Sequence, residues 1–325
     1  MMVKQRVLQE LEEKKGEFVS GGQLAEQLGV SRAAVWKAIR ALSSEGYALQ
    51  AVSGRGYRLE ESNDIVSREG MLPYLNEQWR ELPILVYAQL DSTNREAKSL
   101  AAQGALHGTV VIAKTQTAGR GRLGRSFSSP IRGGLYMSVV LRPQLEAALA
   151  TDVTTAAAVA VCRTVEGVSE AQPQIKWVND VFLRNKKICG ILTEAVTNVE
   201  TGMIDSLIVG IGVNVSTPEE DFSEEVRQVA GSVFAPSEEP ASRNQIAAGI
   251  LNELLSLCEG LGTHGHMEEY RKRCLTLGKK VSFQKDGKTW MGTAVGIQDN
   301  GALEVCLNEG DRVVLQSGEV SVRPY

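Results

Sequence analysis

Residues 97–145 contain no Asp or Glu but seven cations: Lys98, Lys114, Arg120, Arg122, Arg125, Arg132 and Arg142. In a chain with 39 acidic residues, such a belt is the imprint expected of a site for a strongly anionic ligand. A merely solvated face mixes both signs. The centre of the belt is Gly119-Arg120-Gly121-Arg122-Leu123-Gly124-Arg125-Ser126. Its glycines let the backbone fold closely over a ligand, and its guanidiniums offer forked donors to phosphate or carboxylate. The dinucleotide pattern and the P-loop both overlap this run, and both fail. Each needs a helix to start at the last glycine, whereas Ser126-Phe127-Ser128-Ser129-Pro130 and then Arg132-Gly133-Gly134 read as loop.

The elements that must hold this belt follow from periodicity and punctuation. Strands are expected at 110–113 and 135–141, so the arginine run is a loop between strands. An Ala- and Val-rich helix is expected over 147–167, leading to a strand at Ile175, and a further strand over 206–215. Residues 216–240, with Pro218, Pro236 and Pro240, read as loop, in which Ala230-Gly231-Ser232-Val233 can fold onto a ligand. Helices are expected over 246–259 and 267–274. From Gly278 onward, short alternating strands punctuated by Gly287, Gly292, Gly296, Gly301, Gly310 and Gly318 suggest a small SH3-like β-barrel. Trp177 reads as core or pocket wall. His264-Gly265-His266 lies in a polar stretch without further ligand candidates nearby, and reads as surface loop rather than metal site.

The first sixty residues carry a second kind of chemistry. Residues 3–15 have apolar residues at helical spacing. A short helix opening at Gln23 follows, then a turn at Gly29, an N-cap at Ser31 and a helix that keeps Val35, Ile39 and Leu42 on one face. This is helix-turn-helix order, and the strands expected around Ser53-Gly54-Arg55-Gly56 add a hairpin with a basic tip: a winged helix. Residues 20–59 hold five basic and two acidic residues, the sign that phosphate contacts require. Candidate DNA contacts are Ser31, Arg32, Trp36, Lys37, Arg40 and Arg55. A winged helix used only for docking protein is the alternative. Glu60-Glu61-Ser62-Asn63-Asp64 reads as a linker.

Composition excludes several classes. The chain has 325 residues, a net charge of -4 and 43% hydrophobic residues, which suits a folded protein of two domains plus a small module. No apolar run is long enough to span a membrane, and the charged N-terminus lacks a signal-peptide core. The five scattered cysteines form no Cys-x-x-Cys pair, which fits free thiols in a reducing cytoplasm. No metal ligands of the protein are expected.

Three blocks in order then carry a family resemblance. Asp91-Ser92-Thr93-Asn94 follows a strand around 85–90. Gln116 and the Gly-Arg-Gly-Arg-x-Gly-Arg run of 119–125 come second. Lys176-Trp177-Val178-Asn179-Asp180 comes third, with Lys187-Ile188-Cys189-Gly190-Ile191-Leu192 and Glu194 behind it. Gly210-Ile211-Gly212-Val213-Asn214 matches a further segment. Together with the winged helix and the C-terminal β module, the chain resembles the biotin–protein ligases of the bifunctional kind that also repress the biotin operon. One departure is visible: the family usually carries Pro where this chain has Val178, and proline there would stiffen the approach to Asn179 and Asp180.

The resemblance implies an α+β protein in three parts. These are a winged helix-turn-helix at 1–62, a mixed α/β ligase core related to class II aminoacyl-tRNA synthetases at 63–276, and an SH3-like barrel at 277–325. It implies that biotin and ATP, with Mg²⁺, form biotinyl-5′-adenylate, and that biotin passes to a lysine of apo biotin carboxyl carrier protein. It places Ser92, Thr93, Asn94 and Gln116 on the biotin head group. Arg120, Gly121, Arg122 and Lys187 lie along the carboxylate and phosphate, and Arg120, Arg122, Asn179 and Asn214 on the adenylate side. Lys187, Asp180 and Arg122 are the catalytic candidates. Operator DNA and a homodimer promoted by the adenylate complete the implied partners. A ligase without operator binding and a catalytically dead biotin sensor are the competing readings. A lipoyl or octanoyl transferase would share the core but lack the arginine run and the winged helix.

Overall fold

The computed structural model describes residues 2–142, 149–197, 204–235, 238, 240–285, 287–316 and 320–322. Residues 147 and 148, Pro236 and Gly318 lie outside them. The chain divides into two compact units, Met1–Glu81 with Ala241–Gly249, and Leu82–Pro240 with Ile250–Tyr325.

In the first unit, α1 (Val3–Glu13), α2 (Gly21–Leu28) and α3 (Arg32–Ser44) precede the antiparallel pair β1 (Leu49–Val52) and β2 (Gly56–Leu59). The second helix starts two residues before Gln23, because Ser20 caps it: the Ser20 hydroxyl accepts from the Gln23 amide. Gly29 ends it in the left-handed region, φ 63°, and Ser31 caps α3 by accepting from the Ala34 amide. Leu11, Leu24, Val35, Leu42 and Leu59 are fully buried in one core. The residues after β2 are not a loose tether. Asn63 is buried, and Asp64 is gripped by Arg243 through backbone N–H and Nε contacts of 2.7 Å each. The Asn244 amide brackets Ile65 O and Ser67 N at 2.9 and 3.0 Å, next to the short helix α4 (Arg68–Met71).

The second unit is built on a mixed seven-stranded sheet, in the order β3-β4-β5-β9-β8-β7-β6. Its strands are β3 (Ile84–Tyr87), β4 (Thr109–Ala113), β5 (Gly134–Leu141), β6 (Gln174–Lys176), β7 (Asp180–Leu183), β8 (Lys186–Thr197) and β9 (Ile204–Asn214). Only the β3–β4 pair is parallel. Helix α5 (Thr93–Ala102) buries Ala97 and Ala101 against Val111, Val140 and Ile208. Helix α6 (Leu149–Val168) is buried throughout 152–162 and reaches β8, where Thr154 Oγ1 donates to Thr193 Oγ1 at 2.7 Å. The segment 216–235 is more ordered than its prolines suggest, holding α7 (Glu224–Val229). Helices α8 (Arg243–Glu259) and α9 (Met267–Arg273) follow.

The remaining strands are β10 (Lys280–Lys285), β11 (Lys288–Ile297), β12 (Leu303–Leu307), β13 (Arg312–Leu315) and β14 (Val320–Val322). They form an antiparallel sheet in the order β13-β12-β11-β10-β14. Among the described residues its edges do not pair, so the sheet does not close into a barrel. Trp177 Nε1 donates to Gly301 O at 2.9 Å, and Arg271 Nε to Ile297 O at 2.7 Å.

His266 departs from the expected surface loop. It is 4% exposed, with Nε2 2.8 Å from Thr155 Oγ1 and 3.2 Å from the buried Asp152 carboxylate. Helix α6 supplies these neighbours from more than a hundred residues upstream. Burial pushes the His266 pKa down against the opposing pull of Asp152. All five cysteines are free thiols.

Candidate active site

Strand register assembles the site. Side chains two apart share a sheet face, and the pairings Asp180↔Gly190, Gly190↔Gly212 and Tyr136↔Gly212 make one row across four strands. The next row on that face is Leu192, Gly210 and Ser138, and the third is Glu194, Ile208 and Val140. Glycine at 190, 210 and 212 removes side chains from the middle of the face. The resulting floor is filled from above: a Cβ on Gly212 would meet the Phe127 ring at 2.5 Å, and one on Gly210 would meet Asn94 Oδ1 at 2.1 Å.

Over this floor lies a cavity of about 160 Å³. Its wall includes Ser92, Thr93, Asn94, Gln116, Arg120, Gly121, Arg122, Asn179, Asp180 and Lys187, drawn from three separate stretches of chain. Asn214 is not in the wall. It is the buried last residue of β9, where its Nδ2 donates to Gly231 O at 3.0 Å and its Oδ1 has no hydrogen-bond partner among the described residues. The 230–233 segment lies along β8, with Gly231 N donating to Lys187 O at 3.0 Å. Sequence reasoning gave no role to Phe127, Tyr136, Lys176, Leu123 or Gly190, and it put the glycines around Asn214 on the adenylate side; all of these, Gly210 and Gly212 included, line the cavity. The period-two spacing of Gly210 and Gly212 was the available signal.

The polar groups at the α5 end hold one another in fixed orientations. The Thr93 amide donates to Gln116 Oε1 at 2.7 Å, and Gln116 Nε2 donates to Ser129 Oγ at 2.9 Å. The buried Ser138 hydroxyl donates to Asn94 Oδ1 at 2.7 Å. Asn94 Nδ2 donates to Leu192 O at 3.2 Å and to Glu194 Oε2 at 2.7 Å. Glu194 also accepts from Lys98 Nζ at 2.6 Å. Burial alone would push the Glu194 carboxyl up, but the Lys98 and Asn94 hydrogen bonds outweigh it and hold it below the ordinary value. The Ser92 hydroxyl is without a protein partner among the described residues.

At the other end, Lys187 Nζ lies 2.7 Å from Asp180 Oδ1. Arg122 Nη1 donates to Asn179 Oδ1 at 3.0 Å, while Asn179 Nδ2 donates to Ile191 O at 2.8 Å, so β8 fixes the amide that orients the guanidinium. The arginine loop is self-braced, with Gly121 N donating to Arg125 O at 2.8 Å and Phe127 N to Gly119 O at 2.9 Å. The Trp177–Val178 peptide is cis. Among the described residues no group of three or more His, Cys, Asp or Glu side chains could hold a metal ion, and Asp180 is already paired.

In the first unit, α3 exposes Arg32, Trp36, Lys37 and Arg40 on one side, and Arg55 projects from the β1–β2 turn. Arg40 stacks 5.0 Å from the Trp36 ring centroid. The exposed Ser31 hydroxyl caps α3 by accepting from the Ala34 amide, which leaves its O–H free to donate.

Comparison with known proteins agrees with this architecture. The biotin/lipoate A/B protein ligase family model matches residues 86–214, an HTH domain model matches 3–58, and a biotin protein ligase C terminal domain model matches 276–323. The bifunctional ligase/repressor BirA of Bacillus subtilis (strain 168) is 35% identical over 301 residues, covering 90% of this chain and 91% of that protein. The protein of the same description from Escherichia coli (strain K12) is 31% identical over 320 residues, covering 95% and 94%. Among solved structures, biotin protein ligase from Aquifex aeolicus in complex with biotin and ATP superposes with TM-score 0.64 at 27% identity, over 75% of this chain and 99% of that one. A mixed α+β chain with an N-terminal helix-turn-helix, a ligase core and a C-terminal β-sheet domain, this protein belongs to the biotin–protein ligases, among the bifunctional ligase/repressors.

Proposed function

We propose that the chain joins biotin to ATP, holds biotinyl-5′-adenylate, and transfers the biotinyl group to one lysine of apo biotin carboxyl carrier protein. In the cytoplasm, as a homodimer promoted by the adenylate, it also binds operator DNA and represses biotin synthesis genes. The proposed division is a winged helix-turn-helix at 1–62, a class II synthetase-like core at 63–276, and an SH3-like module at 277–325. Five short antiparallel strands support the last of these. The observation that carries the enzymatic reading is the glycine-floored cavity, with fixed amides at one end, Arg122 and Lys187 at the other, and Arg120 in the wall.

The hydrogen-bond arithmetic suits a ureido ring. Both Asn94 Nδ2 hydrogens are engaged, so Asn94 can offer a ligand only an Oδ1 lone pair, which suits a ring N–H. Gln116 Oε1 accepts from the Thr93 amide and hydroxyl, and one Nε2 hydrogen remains for the ring carbonyl. Biotin's carboxylate is already a nucleophile at neutral pH, so the first step needs no general base. Its obstacle is repulsion between two anions, which Arg120, Arg122 and Lys187 offset. The carboxylate oxygen attacks the α-phosphorus and pyrophosphate leaves. In the second step a neutral lysine amine attacks the acyl carbon, AMP leaves with the bond pair, and the amine's proton must go elsewhere. Asp180, in the cavity wall beside Lys187, is the acceptor we assign.

Biotin-dependent ATP–pyrophosphate exchange tests the first step, and labelling of an apo carrier domain tests the second. Exchange without labelling would sink the carrier assignment, and absence of both would favour a catalytically dead sensor.

A further inference from the structure

We infer that Phe18 is an aromatic platform that holds Arg55 and Arg58 ready for the phosphate backbone of duplex DNA. The inference rests on the repressor reading and adds a positioning residue to it. The Arg55 guanidinium carbon lies 4.0 Å from the Phe18 ring centroid, and that of Arg58 lies 4.9 Å from the same centroid. Phe18 is brought there by the backbone. Val19 N donates to Tyr57 O at 2.8 Å and Tyr57 N to Val19 O at 2.9 Å, so residues 18 and 19 run beside β2 as a third, short rung.

This approach leaves no room for a side chain at the turn. A Cβ on Gly56 would lie 2.2 Å from Val19 O, and its φ of 106° is one that glycine adopts without strain. The sequence order Phe18-Val19 and Arg55-Gly56-Tyr57-Arg58 therefore places two cations on one ring, the exposed Arg55 at the tip of the hairpin and the half-buried Arg58 within β2.

A guanidinium whose flat face rests on a ring keeps its in-plane N–H donors free to meet a phosphate with two parallel hydrogen bonds, and the exposed Arg55 is the one placed to do so. Stacking also restricts a side chain that otherwise loses much rotamer freedom on binding. Arg55 is exposed and has no carboxylate partner among the described residues. Arg58 is half-buried, with its Nε shielded from solvent and its Nη2 held by Glu60 at 3.2 Å, so only part of its donor fork is offered until Glu60 is displaced. Two like charges on one ring repel, and the ring's negative face offsets that repulsion only in part. A polyanion that contacts both removes the conflict. DNA is favoured over an acidic protein as occupant because α3, with Arg32, Lys37 and Arg40 exposed, belongs to the same helix-turn-helix.

The test is fluorescence anisotropy with a labelled random-sequence duplex, in biotin and ATP, because phosphate contacts do not depend on sequence. Phe18→Leu keeps an apolar side chain but removes the π face. It is expected to weaken binding about three- to tenfold, and Phe18→Tyr to restore it. In an Arg55→Ala/Arg58→Ala background, which lowers the slope of log K against log salt by about 2, Phe18→Leu is expected to cost less than about twofold. That non-additivity separates a platform from a residue that merely holds the fold. Equal losses in both backgrounds, or no loss in either, would overturn the inference. Wild-type protein that fails to bind the duplex, but is retained by an acidic protein matrix at the same ionic strength, would overturn the repressor reading itself.

Discussion

The Lys187–Asp180 pair, 2.7 Å apart in the cavity wall, divides the two half-reactions at the scale of single residues. Asp180→Ala should slow biotin transfer from preformed adenylate by about a hundredfold or more, the range for losing a positioned base. Adenylate formation should survive, because its nucleophile needs no base. Single-turnover transfer to a carrier domain reads this directly, and an undiminished rate would remove Asp180 from the mechanism. Glu194 gives a pH test. Its carboxyl is held below the ordinary value in the folded state, so its contribution is present above the unfolded pKa and fades as pH falls through the folded one. Wild-type biotin affinity should therefore hold through mild acid and weaken only below the ordinary carboxylate range, where Glu194 is protonated and Lys98 and Asn94 lose their charged acceptor. Glu194→Gln should flatten that limb while binding more weakly at neutral pH. An acid limb of unchanged height in the variant would assign the dependence to another group.

At the scale of elements, the glycine floor is a packing requirement with a sharp consequence. Gly210→Ala places a methyl 2.1 Å from Asn94 Oδ1, and overpacking of this kind costs about 1–3 kcal/mol. Biotin affinity should fall tenfold or more. Gly167→Ala in exposed α6 surface meets nothing within 4 Å and should raise stability by about 0.5–1 kcal/mol. Denaturant melts of the two variants should move in opposite directions. The Arg243–Asp64 clasp is the second element-scale test. Arg243→Ala removes two side-chain hydrogen bonds of 2.7 and 2.8 Å and should lower the stability of the first unit by about 1–2 kcal/mol. A melt indistinguishable from wild type would show residues 63–70 to be a free linker.

Those elements also mark where the sequence was legible. The caps, the apolar face of α3 and the arginine loop between two strands are local patterns, and their principal residues were readable from spacing. The clasp was not, because Asp64 meets a residue 179 positions away. Nor was the burial of His266, which depends on Asp152 arriving from α6. The motif residues of the cavity could be named from resemblance, but the glycine rows need register: Gly190, Gly210 and Gly212 share a face only once β8 and β9 are paired. Asn214, which its motif puts on the adenylate side, also uses its amide to hold the 230–233 segment beside Lys187, a structural tie that no spacing announces.

For the whole molecule, a net charge of -4 conceals segregation. Residues 97–145 carry +7 and residues 20–59 carry +3, so the remaining surface is acidic. Global acidity is therefore no argument against a nucleic-acid partner, and repressor binding should fall steeply with salt. No described helix is long and apolar enough to cross a membrane. The central claim is that one cavity performs both half-reactions. Labelled biotin, ATP and an apo carrier domain, incubated with the protein and chased with unlabelled biotin after adenylate has formed, test it most directly. The account predicts label on the carrier, at one lysine, from the pre-bound pool and in step with AMP release. Carrier labelling that the chase abolishes, with labelled adenylate still on the protein, would contradict it.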